Sequence, residues 1–169
     1  MVTAEPLGVE PAAMDEVRAL LRIDGGGETP VLADLLVGAL ARCEAFLGRL
    51  AVTREVKETI AARPGWQWLA GEPVSAVLGV GAGGVPLAGG SYESDIGSDG
   101  RARVRLLLAP AGPVTVSYRA GLGSGWAALP DGVRRGVARL VAWRFEGAVG
   151  PEPAAVAALW QPHRRMRLA

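Results

Sequence analysis

Histidine, lysine and cysteine are almost missing from this chain: His163, Lys57 and Cys43 stand alone. A single cysteine excludes a disulfide framework and a cysteine metal site. Cys43 falls on the apolar face of a predicted helix and reads as a small core residue. With one histidine, triads and histidine-rich metal sites reduce to His163, which lies in a predicted tail without a preorganised partner. No nucleophile, base and orienting group come together in the pattern, so an enzyme is not expected, and neither is a cofactor or a metal. Lys57 has no glycine-rich loop before it, which excludes a Walker-type phosphate site. No run of about 18 apolar residues is free of charge, so no transmembrane helix and no membrane partner are implied. Residues 1–10 lack the basic and apolar regions of a secretory signal, and synthesis in a reducing cytoplasm is expected. Net charge is +1; it argues neither for nor against nucleic acid as a partner. The basic residues are otherwise all arginine, a bias read here as compositional.

What remains is a chain of 169 residues, half of them apolar, long enough to bury a real core. Residues 1–9 read as an extended arm. Pro11 suits the first turn of a helix running to about Ile23, with Met14, Val17, Leu20 and Leu21 on its apolar side. After Asp24-Gly25-Gly26-Gly27, Thr29 as N-cap and Pro30 as first residue open a second helix. It carries Leu32, Leu35, Leu36, Ala39, Leu40, Cys43 and Leu47, and Gly48 closes it. Residues 52–60 read as an imperfect strand, with Arg54 and Glu58 on the same face as Val52, Val56 and Ile60, a pattern suited to a sheet edge or subunit boundary. Further strands are predicted at 66–69, 74–80, 92–96 and 101–108, with a glycine-rich loop over 81–90 and a tight turn at Ser98-Asp99-Gly100. Residues 114–120 alternate cleanly, Val114, Val116 and Tyr118 against Thr115, Ser117 and Arg119. Pro130 and Asp131 start a helix that runs to Gly147, with Val133, Val137, Leu140 and Val141 as its stripe. A short helix over 154–160 and a tail follow.

The expected fold class is α+β, mainly helical: a helical core with an inserted small antiparallel β-sheet and extended N- and C-terminal segments. The parts are an N-terminal arm (1–9), a helical hairpin (10–50), a β-rich insertion (51–119), a core helix (130–148), and a short C-terminal helix with a tail (151–169).

Several motifs invite a chemical reading. Gly79-Val80-Gly81-Ala82-Gly83-Gly84 satisfies G-x-G-x-x-G, but no helical pattern follows to hold a pyrophosphate, so a loop is the better reading. Glu93, Asp95 and Asp99 crowd a loop without the terminal glutamate of an EF-hand and read as turn residues. Arg101, Arg103 and Arg105 share one strand face. They either face DNA in a channel or pair across strands with Glu55 or Glu58, and ordinary cross-strand pairing favours the second. Arg144 breaks the apolar stripe of its helix. It either snorkels, as its position one turn from the helix end favours, or pairs with a carboxylate across a packed or intersubunit surface. Trp160, His163, Arg164, Arg165, Met166, Arg167 and Leu168 end the chain in residue types that anchor interfaces; the alternative is a solvated end.

The order of these motifs resembles the head–tail connector (adaptor, or head-completion) proteins of long-tailed phages and phage-like gene transfer agents. The resemblance rests on Val114 to Gly121, Leu129-Pro130, Trp143-Arg144-Phe145-Glu146, Glu16 to Asp24, Phe46-Leu47-Gly48-Arg49, and Leu159-Trp160-Gln161-Pro162-His163-Arg164, where His163 replaces the usual Tyr. It covers nearly the whole chain and is loose between about Ala61 and Arg105. It implies a ring of identical subunits, twelve-fold, beneath the portal ring of a virion or phage-like particle. Such a ring extends the DNA channel without sequence recognition and forms a platform for a stopper or other neck or tail protein. The C-terminal segment, Trp160 and 163–168, is then the portal contact. Tyr92, Glu93, Asp95 and Arg144 are candidates for the subunit or tail-side contact, and Arg101, Arg103 and Arg105 for the channel. The alternatives are another neck or tail component, such as a stopper or tail-end protein, and a small DNA-binding module.

Overall fold

The computed structural model describes residues 1–165. The chain divides into a β unit, Met1–Glu5 with Thr53–Leu122, and a helical unit, Pro6–Val52 with the chain from Gly123 onward.

The helical unit follows from its apolar spacing. Helix α1 spans Pro11–Leu21, with Ala13, Met14 and Val17 buried, and ends as Arg22 turns left-handed at φ 56°. Helix α2 spans Thr29–Leu47 and buries Leu32, Leu36, Ala39, Leu40, Cys43 and Leu47. Gly48, at φ 64°, closes α2 by donating its N–H to the Glu44 carbonyl; a left-handed cap is the conformation glycine tolerates best. Helix α3 spans Asp131–Phe145 and buries Val133, Val137, Leu140 and Val141. Helix α4 spans Ala154–Trp160. Burial, with Glu44 adding to it, pushes the Cys43 thiol up to about 12, in keeping with an inert core residue.

Two close fits join these helices. A Cβ on Gly136 would lie 2.2 Å from Trp160 Nε1, so only glycine lets the indole lie this close to α3. The buried Trp160 Nε1 donates to the Val133 carbonyl at 3.3 Å. In the turn over Trp126–Ala128, the Trp126 N–H donates to Glu10 Oε1 at 2.9 Å and its indole to Glu16 Oε2 at 2.8 Å. Buried indoles need such acceptors.

The β unit corrects the expected fold class. The structure is about 35% helix and 27% strand, with two antiparallel sheets, and is not mainly helical. The strands are β1 (Val2–Ala4), β2 (Arg54–Ile60), β3 (Gly65–Trp68), β4 (Val74–Ala82), β5 (Val85–Pro86), β6 (Tyr92–Ile96), β7 (Ala102–Leu106) and β8 (Val114–Ala120). They form a five-stranded sheet ordered β1-β2-β8-β4-β5 and a three-stranded sheet ordered β3-β7-β6. Two segments with weak local signals supply the extra strands. Residues 2–4 of the presumed arm pair with β2, which is therefore internal and not an edge. The glycine-rich loop is in part a hairpin: β4 continues to Ala82 and turns at Gly83 and Gly84, φ 57° and 85°, into β5. Two consecutive left-handed residues suit a tight hairpin turn, and glycine adopts them without strain.

The buried faces carry Val56 and Glu58 of β2, Ala102, Val104 and Leu106 of β7, and Val114, Val116, Tyr118 and Ala120 of β8. Glu58 explains the imperfect strand pattern. Its Oε2 accepts from the Tyr118 hydroxyl at 2.7 Å and from the Ala70 N–H at 2.9 Å, while the Gly71 N–H donates to the Tyr118 hydroxyl at 3.0 Å. Burial first, then the hydrogen bond to Glu58, raises the Tyr118 pKa well above the ordinary phenol value. The network satisfies a carboxylate that burial alone would make costly.

Candidate interaction surfaces

The structure gathers Arg101, Arg103 and Arg105 with residues that sequence reasoning placed separately. On the outer face of the three-stranded sheet, Trp66 lies opposite Arg105 and Trp68 opposite Arg103, while β6 sets Glu93 opposite Arg105 and Asp95 opposite Arg103. The guanidinium of Arg101 stacks over Trp68 at 4.3 Å, that of Arg103 over Trp66 at 4.5 Å and Trp68 at 5.6 Å, and that of Arg105 over Trp66 at 5.3 Å. Each also meets a carboxylate: Arg103 with Asp95 at 2.8 Å, Arg105 with Glu93 at 2.7 Å, Arg101 with Glu72 at 3.7 Å. Arg103 and Arg105 thus pair across strands, with β6 as the partner strand in place of the expected Glu55 or Glu58, while Arg101 meets Glu72 in the loop before β4. Arginine planes between indole faces gain both cation–π and stacking contacts. Tyr92 is half-buried on the same edge strand as Glu93 and Asp95. The alternation of W-x-W and R-x-R-x-R signalled two faces, but only the strand order brought them together.

Arg144 turns to a carboxylate within its own unit. Its Nη2 donates to Glu152 Oε1 at 3.1 Å, and Arg42 Nε donates to both oxygens of the same carboxylate at 3.2 and 3.0 Å. The paired reading of Arg144 therefore describes it better than snorkelling. Nothing in the local pattern around Glu152 signalled this.

Among the tail candidates, Trp160 is buried against Gly136 and Phe46, with ring centroids 5.7 Å apart in the second contact, so it offers no surface. This corrects its inclusion among exposed anchors: an indole wedged beside a glycine is core. His163 closes a short 3-10 turn over Gln161–His163. The Arg164 guanidinium lies 5.4 Å from the centre of the Phe46 ring, and the Arg165 N–H donates to the Leu47 carbonyl at 2.8 Å. The chain up to Arg165 thus returns to α2. Met166, Arg167 and Leu168 lie outside the described residues.

The sheet surface also holds a groove that the sequence reading missed. It has a volume of about 470 Å³ and is lined by Lys57, Leu78, Gly79, Gly81, Val85 and Pro86 among others. Gly79 pairs with Ser117 and Gly81 with Thr115, which puts both glycines on the face of the five-stranded sheet opposite the core. Among the described residues no His, Cys, Asp and Glu group suits a metal ion, and no helix is long and apolar enough to cross a membrane.

No protein-family model matches the chain, and no curated protein matches it in sequence. Its fold is that of chains in solved particle structures. One is from the neck of an empty gene transfer agent (GTA) particle computed with C6 symmetry: TM-score 0.77, 24% identity, 100% of this chain and 97% of that one. A second is from the virion of a native GTA particle, with TM-score 0.75, 24% identity and the same coverage. A third is from the neck of a native GTA particle computed with C12 symmetry, with TM-score 0.72, 21% identity and coverage of 99% and 97%.

Proposed function

We propose that this chain is a structural, non-enzymatic component of the neck of a phage-like particle. It acts there as the head–tail adaptor: copies form a ring beneath the portal, extend the DNA channel and carry the next neck or tail protein. One observation carries the reading. The likeness to neck chains spans both units at nearly full coverage of both partners, so it includes the β unit as well as the helical one. The symmetries of those particles support a ring. In this reading His163, Arg164 and Arg165, continuing into 166–168, face the portal, and the β6 edge with Tyr92, Glu93 and Asp95 faces a neighbouring copy or the tail side. The engaged state of Arg101, Arg103 and Arg105 speaks against their lining the channel, and equally against a DNA-binding module, since guanidiniums already paired gain little from phosphate.

Strand content above expectation favours keeping a second reading, a stopper or other neck component. Co-sedimentation with portal rings from the same genome separates the two, using the full-length chain and a chain ending at Gln161. The adaptor reading expects the full-length chain to bind and the shortened one to lose binding. Binding by both keeps the adaptor and moves the contact away from the tail. Binding by neither, with both folded, ends the adaptor reading in favour of the stopper.

A further inference from the structure

We infer that successive copies of this chain join through their β units, and this rests on the ring reading above. The tryptophan–arginine face of one copy seats in the glycine-floored groove of the next. The two patches differ in kind. On the three-stranded sheet Trp68 is 54% exposed and Trp66 37%, large values for indoles, with guanidiniums 4.3 and 4.5 Å over their rings. On the five-stranded sheet Leu78 is 45% exposed and Val85 67%, beside a floor of Gly79 and Gly81.

The groove owes its shape to particular residues. The register of β4 against β8 breaks between Val77 and Gly79, so Leu78 is an extra residue and turns outward. A Cβ on Gly79 would meet nothing within 4 Å, so this glycine is not required by crowding; it leaves space. An open floor at Gly79, with Thr115 and Ser117 of β8 beside it and an exposed leucine and valine at its sides, is a place for an aromatic side chain.

Charge fits as well. Three guanidiniums on the ladder face three carboxylates, Glu72, Glu93 and Asp95, so the face brings no unpaired charge into an apolar groove. Lys57, the charged residue that lines the groove, has Glu55 3.9 Å away, so the groove brings no unpaired charge to the contact either. The arginines and indoles are already ordered, which lowers the entropy lost on association. Two unlike, matching patches on one unit are what a head-to-tail interface needs, and such an interface gives a ring when its rotation closes.

The test uses full-length chains titrated onto portal rings of the same genome, with bound copy number followed by sedimentation and light scattering. Gly79→Phe fills the groove, and Trp66→Ala/Trp68→Ala removes the inserted side chains. The wild-type chain should fill the ring cooperatively. Each variant should bind without cooperativity, its midpoint raised about tenfold or more, as for loss of an aromatic anchor. Gly79→Phe should keep a wild-type melting curve, so it decides the matter even if the tryptophan variant folds poorly. Wild-type cooperativity in Gly79→Phe overturns the inference and leaves the adaptor reading standing. Rings that form normally but lose the next neck protein also overturn it, assigning these patches to that partner. A wild-type chain that does not bind the portal removes the ring reading, and the inference with it.

Discussion

In the helical unit Arg42, Arg144 and Arg164 turn back onto the unit; in the β unit Arg101, Arg103 and Arg105 lie along the open face of a sheet. Arg42 and Arg144 share Glu152, and Arg164 covers Phe46, so ionic and aromatic partners close over the helices. Arg101, Arg103 and Arg105 also find carboxylates and rings, but the rings they order are exposed indoles. The same chemistry thus seals one unit and prepares a surface on the other. A seal tolerates one partner shared between two arginines, whereas a presented face needs every charge matched in place. If assembly uses ordered apolar surface, the β unit supplies it.

The sharpest way to break this comparison is to remove the side chain that the helical seal encloses. Trp160→Ala should destabilise the chain by about 3–5 kcal/mol, the usual cost of deleting a buried indole. Amide exchange should locate the loss in α2, α3 and α4. The near-ultraviolet circular dichroism of the Trp66–Trp68 pair should persist at temperatures where those helices already exchange. Simultaneous loss of both signals would show that the seal and the ladder are one cooperative structure. In the β unit the corresponding blow is Tyr118→Phe. It removes one of the two donors to Glu58 Oε2 and the acceptor for the part-buried Gly71 N–H, at about 1–3 kcal/mol. Urea denaturation reads it, and a neutral result would mean that water replaces the hydroxyl. Smaller again is Arg103→Met, expected to cost under about 1 kcal/mol, because its ion pair and ring contacts are solvent-exposed. Its mark should be a changed tryptophan dichroism with an almost unmoved melt.

The two units were also unequally legible. Helical spacing is local, so Val133, Val137, Leu140 and Val141 disclosed α3 from sequence, and Gly48 disclosed the end of α2. What escaped there were the long-range fits, Trp160 against Gly136 and Trp126 against Glu10 and Glu16, since no local pattern says which glycine admits which indole. Strand pairing is non-local throughout. β8 alternates visibly, but Val2–Ala4 is too short to signal a strand, and β5 is two residues behind a glycine turn. The arginine row was visible, whereas its partners depended on β3 and β6 lying on either side of β7 and on Glu72 in the loop before β4. Glu58 read as a flaw in β2 because Tyr118, its reason for burial, is 60 residues away. The fold was therefore underestimated where pairing partners are distant, and the candidate surface was seen as separate rows.

The gentlest probe sits at the exposed start of α3, where the helical unit carries ion pairs as open as those of the ladder. Asp131 accepts a hydrogen bond from Arg134 and meets Arg135 at 3.2 Å. The hydrogen bond from Arg134, then the charges of Arg135 and Arg134, hold its carboxyl below the ordinary value of 3.8. A depressed folded-state pKa means that the charged form is the favoured partner of the native chain. Its contribution is therefore present above the ordinary aspartate range and lost as pH falls through the depressed value. Asp131→Asn should melt slightly below wild type near neutrality, and the gap should close as the pH is lowered below the ordinary aspartate value of 3.8. Other carboxylates titrate in both proteins and cancel in the difference. A gap that stays constant to the acid end would mean that Asp131 acts by hydrogen bonding at the helix start, with its charge irrelevant. The exposed pairs of the helical unit would then differ from the ladder in kind as well as in place.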